Sequence, residues 1–294
     1  LIRTGSVRRL FLLLTGVLLV AFTAADGSAG MSSQPRVIIL GYHEVEADGL
    51  PHHAVIPRLL ASGSASDEMQ MYTISTEAFR QQLDALAAHG YTVIPLAELQ
   101  RFLAGQRDSL PERSAVITAD DGWASLATPM WSELRHCGYP VTAFVYPRVL
   151  DRHGHHPYNL TWEQVAELAH QGLDIESHSF SHPFLSRARH RDLDDAQYQQ
   201  WLENELRQSR DEIVEHVGGQ VRFLAYPYGD YDAGVIAAAK KAGYAGAVTV
   251  TGGTVTRSSD PFAMNRYLVF HDTSLAQFES WLEPATTASQ PPAR

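Results

Sequence analysis

The chain has 294 residues, 45% of them hydrophobic, which suits one large buried core better than two small domains. Lys and Arg number 23 against 33 Asp and Glu, a formal net charge of −10. No basic run tracks phosphates, so nucleic acid is excluded as a partner. Anionic membranes and acidic polymers fit poorly, and a neutral substrate, or one with a cationic product, fits better.

In chain order, Arg3, Arg8 and Arg9 precede an uncharged stretch at 10–25 that ends in Thr23-Ala24-Ala25. Residues 1–30 therefore read as a secretory signal peptide cut after Ala25. The rival is an uncleaved anchor, for which 10–25 is slightly short of a span of about 20 residues. Either way the protein is exported, to the periplasm or outside the cell, and membrane contact comes only through that segment.

From residue 36 onward, short apolar runs alternate with helical periodicity. Buried strands are expected at 37–42, 91–94, 115–118, 141–146, 173–176, 221–226, 247–250 and 267–270. Helices are expected at 76–89, where Phe79, Leu83 and Leu86 form one stripe, and at 125–138, 162–171, 194–217 and 232–242. Gly90, Gly138, Gly172 and Gly243 follow helices, where a left-handed cap favours glycine. Such alternation predicts an α/β fold with a parallel sheet, and seven or eight repeats predict a single-domain barrel. The single cysteine, Cys137, rules out an intrachain disulfide and reads as a small core residue of the 125–138 helix. Residues 46–70 form a long excursion over the barrel mouth, and their His52-His53 pair reads as a solvated loop feature. The stretch 284–294 reads as a disordered tail.

Five chemically loaded positions fall just past strand ends: His43, Asp120-Asp121, His178, Pro227-Tyr228 and His271-Asp272. In a barrel those ends share one face, the face where active sites form. One Asp and the pair His178/His182 supply three ligands to a divalent metal with positions left open, and the spare Asp is placed as a general base.

Asp120-Asp121-Gly122, His178-x3-His182-Pro183 and the turn Pro227-Tyr228-Gly229 resemble, in order and spacing, the motifs of the polysaccharide deacetylases. These form carbohydrate esterase family 4, with its NodB-homology domain, and the likeness covers residues 36–283. Gly41-Tyr42-His43-Glu44-Val45 and Arg266-Tyr267-Leu268-Val269 resemble more specifically the poly-β-1,6-N-acetylglucosamine N-deacetylases of biofilm systems. The resemblance implies a distorted (β/α)7–8 barrel that removes acetyl groups from an N-acetylglucosamine polymer with a divalent metal. Zinc is the first expectation, with cobalt, nickel and iron as the other fits. It assigns Asp121, His178 and His182 as ligands, Asp120 as general base and the backbone N–H of Tyr228 as oxyanion donor. The general acid is His43 or His271, with His43 preferred because the poly-N-acetylglucosamine branch uses an early Tyr-His segment.

The sequence also departs from the family pattern. Ala119 stands where the family has an aromatic before the base, and Ala225 where it has the Arg that orients the base. Arg266, from the last strand, is the candidate replacement. Trp123, Tyr226, Pro227 and Tyr228 are the expected sugar contacts, since sugars stack on aromatic rings. Peptidoglycan and chitin-type oligomers compete as substrates. Outside this class, two His and a carboxylate also form the facial triad of non-haem iron oxygenases, against which the second Asp and the barrel pattern speak. A non-catalytic glycan-binding module on the same scaffold is the third reading.

Overall fold

The computed structural model describes residues 35–46, 71–150 and 159–283. The leader at 1–30, most of the 46–70 excursion with His52-His53, and the tail at 284–294 lie outside the described residues. In chain order come β1 (Arg36–Tyr42), β2 (Glu44–Glu46), β3 (Thr73–Ser75), α1 (Thr76–Ala88), β4 (Thr92–Val93), α2 (Leu96–Leu103) and β5 (Arg113–Asp120). There follow α3 (Pro129–Cys137), β6 (Val141–Val145), α4 (Pro147–Leu150), α5 (Trp162–His170), β7 (Asp174–Ser177) and α6 (Asp195–Val217). The last are β8 (Phe223–Ala225), α7 (Ala233–Ala242), β9 (Gly246–Val248), β10 (Thr254–Val255), β11 (Tyr267–Leu268) and α8 (Leu275–Leu282).

The main sheet is ordered β10-β1-β5-β6-β7-β8-β9, with β11 on β1 and β4 on β5. Every pairing in it is parallel except that of β10 with β1. The segment 264–268 links the two edges: Met264 bridges Val248 of β9, and β11 pairs with Leu40 and Gly41 of β1. The sheet therefore curls into the expected distorted barrel. All eight expected strands are present, mostly trimmed by a residue or more. The two-stranded β2–β3 sheet, β10, α2, α4 and α8 are additions that periodicity did not single out.

Side-chain parity divides the core in two. On β1, Ile38, Leu40 and Tyr42 join one cluster, while Val37 and Ile39 join the other. The first cluster receives Phe79 and Leu83 of α1, Leu134 of α3, Val165 of α5, Leu206 of α6 and Phe278 of α8, so it lies between sheet and helices. The second gathers Val116, Phe144, Phe223 and Val248 from different strands, with Leu99 and Phe102 of α2, and fills the barrel interior. The period of two is the pleat itself. It decides which way every functional side chain points.

Five of the helices start on side-chain caps. Ser75, Asp232 and Ser274 accept from the backbone of α1, α7 and α8, and Thr161 and Asp194 make full capping boxes on α5 and α6. Each cap contributes about 1 kcal/mol. The expected 125–138 helix is broken: residues Ala124–Ala127 form a 3-10 turn and α3 begins at Pro129. Proline suits the first helical position because its missing N–H has no intrahelical partner there, but it cannot continue a preceding helix. Cys137, the last residue of α3, is exposed, which corrects its reading as a core residue.

Candidate active site

Register brings the loaded residues level. Tyr42 pairs with Ala119, Asp120 with Phe144, Val145 with Ser177, and Ala225 with Val248, so the strand ends form one rim. Asp120 shares parity with Val116, and His43 with Ile39, so both point inward. A cavity of about 220 Å³ opens there, lined by His43, Asp120, Asp121, His178, His182 and Arg266 among others.

Asp121, His178 and His182 converge. Their ligand-capable atoms lie within 4.8 Å of one another, and Asp121 Oδ1 is 3.5 Å from both imidazole Nε2 atoms. The two Nε2 atoms are 3.2 Å apart. His178 Nδ1 lies 2.8 Å from the Ala225 carbonyl, which can only accept, so Nδ1 carries the proton and Nε2 presents its lone pair inward. Burial, then His182, holds the His178 pKa down to about 3, so the ring stays neutral. Burial pushes the Asp121 carboxyl up, and Asp120 adds to the rise. Asp121 Oδ1 is buried without a hydrogen-bond partner. An orphaned carboxylate oxygen beside two imidazole Nε2 atoms is the donor set of a divalent cation, and these residues fit one.

Asp120 is handled differently. Both its oxygens are gripped at 2.7 Å by the two terminal nitrogens of Arg266, a bidentate pair in which both side chains are buried. Burial alone would raise this carboxyl, but Arg266, then His178 and His43, outweigh it and hold it at about 2. Arg266 also donates to Thr118 Oγ1 and to the Thr249 carbonyl. Its stem runs beside Gly41, where a Cβ would lie 3.2 Å from Arg266 Cδ and 2.5 Å from Leu268. The glycine in β1 thus leaves space for the arginine.

The backbone around the site is held in unusual shapes. Asp121, Ser179, His182 and Tyr228 all have positive φ, uncommon for residues with a Cβ. The 178–182 turn is tied from behind by α6: Glu205 accepts from the Ser181 N–H and hydroxyl, and Ser209 donates to the Ser179 carbonyl. Tyr244 and Ser209 hydroxyls meet Ser177 Oγ at 2.8 and 2.7 Å. None of these supports was picked out from the sequence. Glu205 and Ser209 stand four apart on a helix stripe otherwise made by Leu202, Leu206 and Ile213, and polar residues on an apolar stripe were the available signal.

The remaining expected residues divide. His43 is buried against Tyr72, ring centroids 4.3 Å apart, with Nδ1 lacking a hydrogen-bond partner. Burial lowers its pKa, while Asp121 and Asp120 pull it back up. His271 is exposed and does not line the cavity, so four of the five loaded positions come together, not five. Trp123 lines the cavity and donates to Asp121 Oδ2 at 3.2 Å. Tyr228 is 47% exposed at the mouth, with its ring 4.6 Å from His182. Pro227 is buried beneath it. Tyr226 is among the residues that line the cavity, and it is fully buried: it has the parity of Leu224, its hydroxyl donates to the Phe262 carbonyl, and its ring stacks on Tyr231. Tyr72 and Tyr146 line the cavity and were not anticipated.

A family model described as polysaccharide deacetylase matches residues 107–247. A poly-β-1,6-N-acetyl-D-glucosamine N-deacetylase of Staphylococcus epidermidis is 26% identical over 247 residues, covering 83% of this chain and 82% of that protein. Two solved structures share the fold. A Streptococcus pyogenes deacetylase, PplD, solved with acetate, superposes with a TM-score of 0.68 at 20% identity, over 86% of this chain and all of that one. IcaB from Ammonifex degensii gives 0.66 at 24%, over 84% of this chain and 97% of that one. The matched segment, just under half of the chain, contains Asp120, Asp121, His178, His182 and Tyr228, and residues 107–247 form a polysaccharide deacetylase domain in the barrel these structures share.

Proposed function

We propose that the protein is a metal-dependent N-deacetylase that releases acetate from an N-acetylglucosamine polymer, with poly-β-1,6-N-acetylglucosamine as its substrate. The observation that carries this reading is the division of labour between adjacent carboxylates. Asp121 turns an orphaned oxygen toward the two imidazole Nε2 atoms, while Asp120 is locked to Arg266 beside them. Two neighbouring carboxylates do not ionise together cheaply unless each has its own cation. Here the guanidinium serves one, and a divalent cation held by Asp121, His178 and His182 would serve the other.

Asp121, His178 and His182 would hold a divalent metal, zinc first, which when bound would supply Lewis-acid polarisation of the acetamide carbonyl and lower the pKa of water. Arg266 keeps Asp120 anionic across the physiological range, ready to take the proton of the attacking water. The Tyr228 N–H, on the turn that lines the cavity, is the donor to the oxyanion in this reading. An amide nitrogen does not leave as an anion. His43, which lines the same cavity, gives it the proton, and free amine and acetate result. The uncharged stretch at 10–25 carries the protein out of the cell, where such polymers lie.

The test is acetate release from defined β-1,6 and β-1,4 N-acetylglucosamine oligomers, with metal content measured on the same preparation. Faster release from the β-1,6 series, with metal bound, supports the reading. Faster release from the β-1,4 series moves the substrate to chitin-type glycans or peptidoglycan, and no release from either removes the reading.

A further inference from the structure

The cavity, at about 220 Å³, is smaller than the roughly 300–1,000 Å³ that encloses a drug-sized ligand, so it takes one sugar and leaves its neighbours outside. Outside the mouth lies an unusual surface. Tyr228, Phe184 and Val250 are among the exposed large hydrophobic residues, at 47%, 38% and 38%. Tyr228 and Val250 line the cavity itself. From Tyr228 the strip continues outward. The Phe184 ring stacks on it at 4.3 Å with the planes 25° apart, and the Arg189 guanidinium lies 4.4 Å over the Phe184 ring.

This strip is not a loose loop tip. Ser186 donates its N–H and hydroxyl to Asp230 at 2.7 and 2.8 Å, and the Arg187 N–H donates to Asp232 at 2.8 Å. Tyr198 donates to the Leu185 carbonyl at 2.7 Å, and His190 Nε2 meets the Phe184 carbonyl at 2.6 Å. These fixed backbone contacts hold Phe184, 38% exposed, at the rim of the cavity. A preorganised exposed ring beside an active site is a recognition surface.

We infer that Phe184, Arg189 and Tyr228 form a second sugar subsite, which takes the N-acetylglucosamine unit adjoining the one being deacetylated. The inference rests on the deacetylase reading and adds a chain-length requirement to it. A pyranose ring has an apolar C–H face and a rim of hydroxyls. Arg189 covers the outer face of Phe184, so the exposed edges of the stacked Tyr228 and Phe184 rings meet the apolar face, and the guanidinium, with its fork of donors, meets the rim.

The experiment compares wild type, F184A, F184W and R189A on a β-1,6-linked N-acetylglucosamine tetramer and on N-acetylglucosamine itself. Acetate release gives kcat/KM, calorimetry gives Kd, and the melting temperature checks the fold. Wild type should favour the tetramer. F184A should cut the tetramer-to-monosaccharide preference about fivefold or more, the scale of one lost ring contact, and do so through KM. F184W should keep the preference, and R189A should lose part of it. An unchanged preference in F184A overturns the subsite, as does an equal loss on both substrates, which would make Phe184 a prop for the catalytic turn. A wild type that binds the tetramer no better than the monosaccharide overturns it outright. If wild type binds the tetramer more tightly yet releases no acetate, the deacetylase reading falls, and the Kd ratio in F184A still decides the subsite.

Discussion

At the C-terminal ends of the strands, Asp121, Ser179, His182 and Tyr228 adopt left-handed backbone although each carries a Cβ, whereas beyond the helix ends the same backbone belongs to Gly90, Gly138, Gly172 and Gly243. The rim also holds a buried bidentate ion pair and an orphaned carboxylate oxygen, while the helix layer has capped N-termini and an apolar face. Left-handed conformation costs a non-glycine residue roughly 1–2 kcal/mol. Such strain persists only where the surroundings over-determine it, and Glu205, Ser209 and Tyr244 do so behind the 178–182 turn. One end of the barrel is relaxed and stabilises the fold. The other is held in place for chemistry.

If that contrast is right, damage at the rim should remove function before it removes structure. His178→Ala is the largest expected effect: metal content, measured by mass spectrometry, falls to near zero and acetate release to background. Circular dichroism should keep its α/β form. Stoichiometric metal in the purified variant would sink the ligand assignment. Asp120→Asn should keep the metal and lose about 10²-fold or more in rate, the usual worth of a general base. If metal falls with activity, the roles of Asp120 and Asp121 are exchanged.

His43→Ala and His271→Ala sharpen the contrast within the rim, because one residue lines the cavity and the other is exposed. An acid matters most for a poor leaving group. His43→Ala should lower amide cleavage by about 10²-fold and spare more of the activity on an acetate ester of an acidic alcohol. His271→Ala should affect both substrates mildly and alike. A selective amide defect in His271→Ala would reverse the assignment and weaken the β-1,6 reading, which leans on the Tyr42-His43 segment.

Arg266 is the point at which the two ends meet, since it is both a support of the base and a buried charge. Arg266→Met leaves the Asp120 carboxylate unpaired at 3% exposure, and should cost about 3–5 kcal/mol of stability in a denaturant titration. Adding Asp120→Asn removes the stranded charge and should restore a good part of that loss, a coupling that a double-mutant cycle measures. Independent, additive effects would show that the pair is not the unit the geometry describes.

How much of this was legible depended on periodicity. Runs such as 115–118 and 141–146 gave the strands, and their C-terminal ends gave Asp120, Asp121, His178 and His182. Parity was available too. Counting by twos from Leu224 sends Tyr226 to the helix side, and that count, not the motif, decided its burial. His271 misled because proximity to a strand end says nothing about which way a following turn carries the chain. The Glu205 and Ser209 supports, the Phe184–Tyr228 stack and the Gly41–Arg266 fit depend on contacts between distant segments, which no local pattern encodes. Both Arg266 and His43 lie outside the segment matched by the family model, and only the closed barrel brings them to it.

The smallest expected effect tests the contrast most directly, because it applies one chemical change at both ends. Gly138 and Gly122 have nearly the same φ, 67° and 69°. Gly138 ends α3, and a Cβ there meets nothing within 4 Å, so Gly138→Ala carries only the left-handed backbone cost. That cost of roughly 1–2 kcal/mol should lower the melting temperature by several degrees, at about 2–4 °C per kcal/mol for a domain of this size, and leave kcat and metal content untouched. Gly122 follows Asp121, and a Cβ there lies 3.3 Å from Val145 Cγ1, on the strand that leads into the rim. Gly122→Ala therefore carries the same backbone cost and also moves the residue beside Asp121, the proposed metal ligand. It should lower kcat and metal occupancy together with the melting temperature. Equal melting shifts with activity lost only in Gly122→Ala would show that strain at the rim is coupled to chemistry. Activity lost in neither variant would show that the rim tolerates displacement, and the contrast between the two ends would then concern backbone geometry alone.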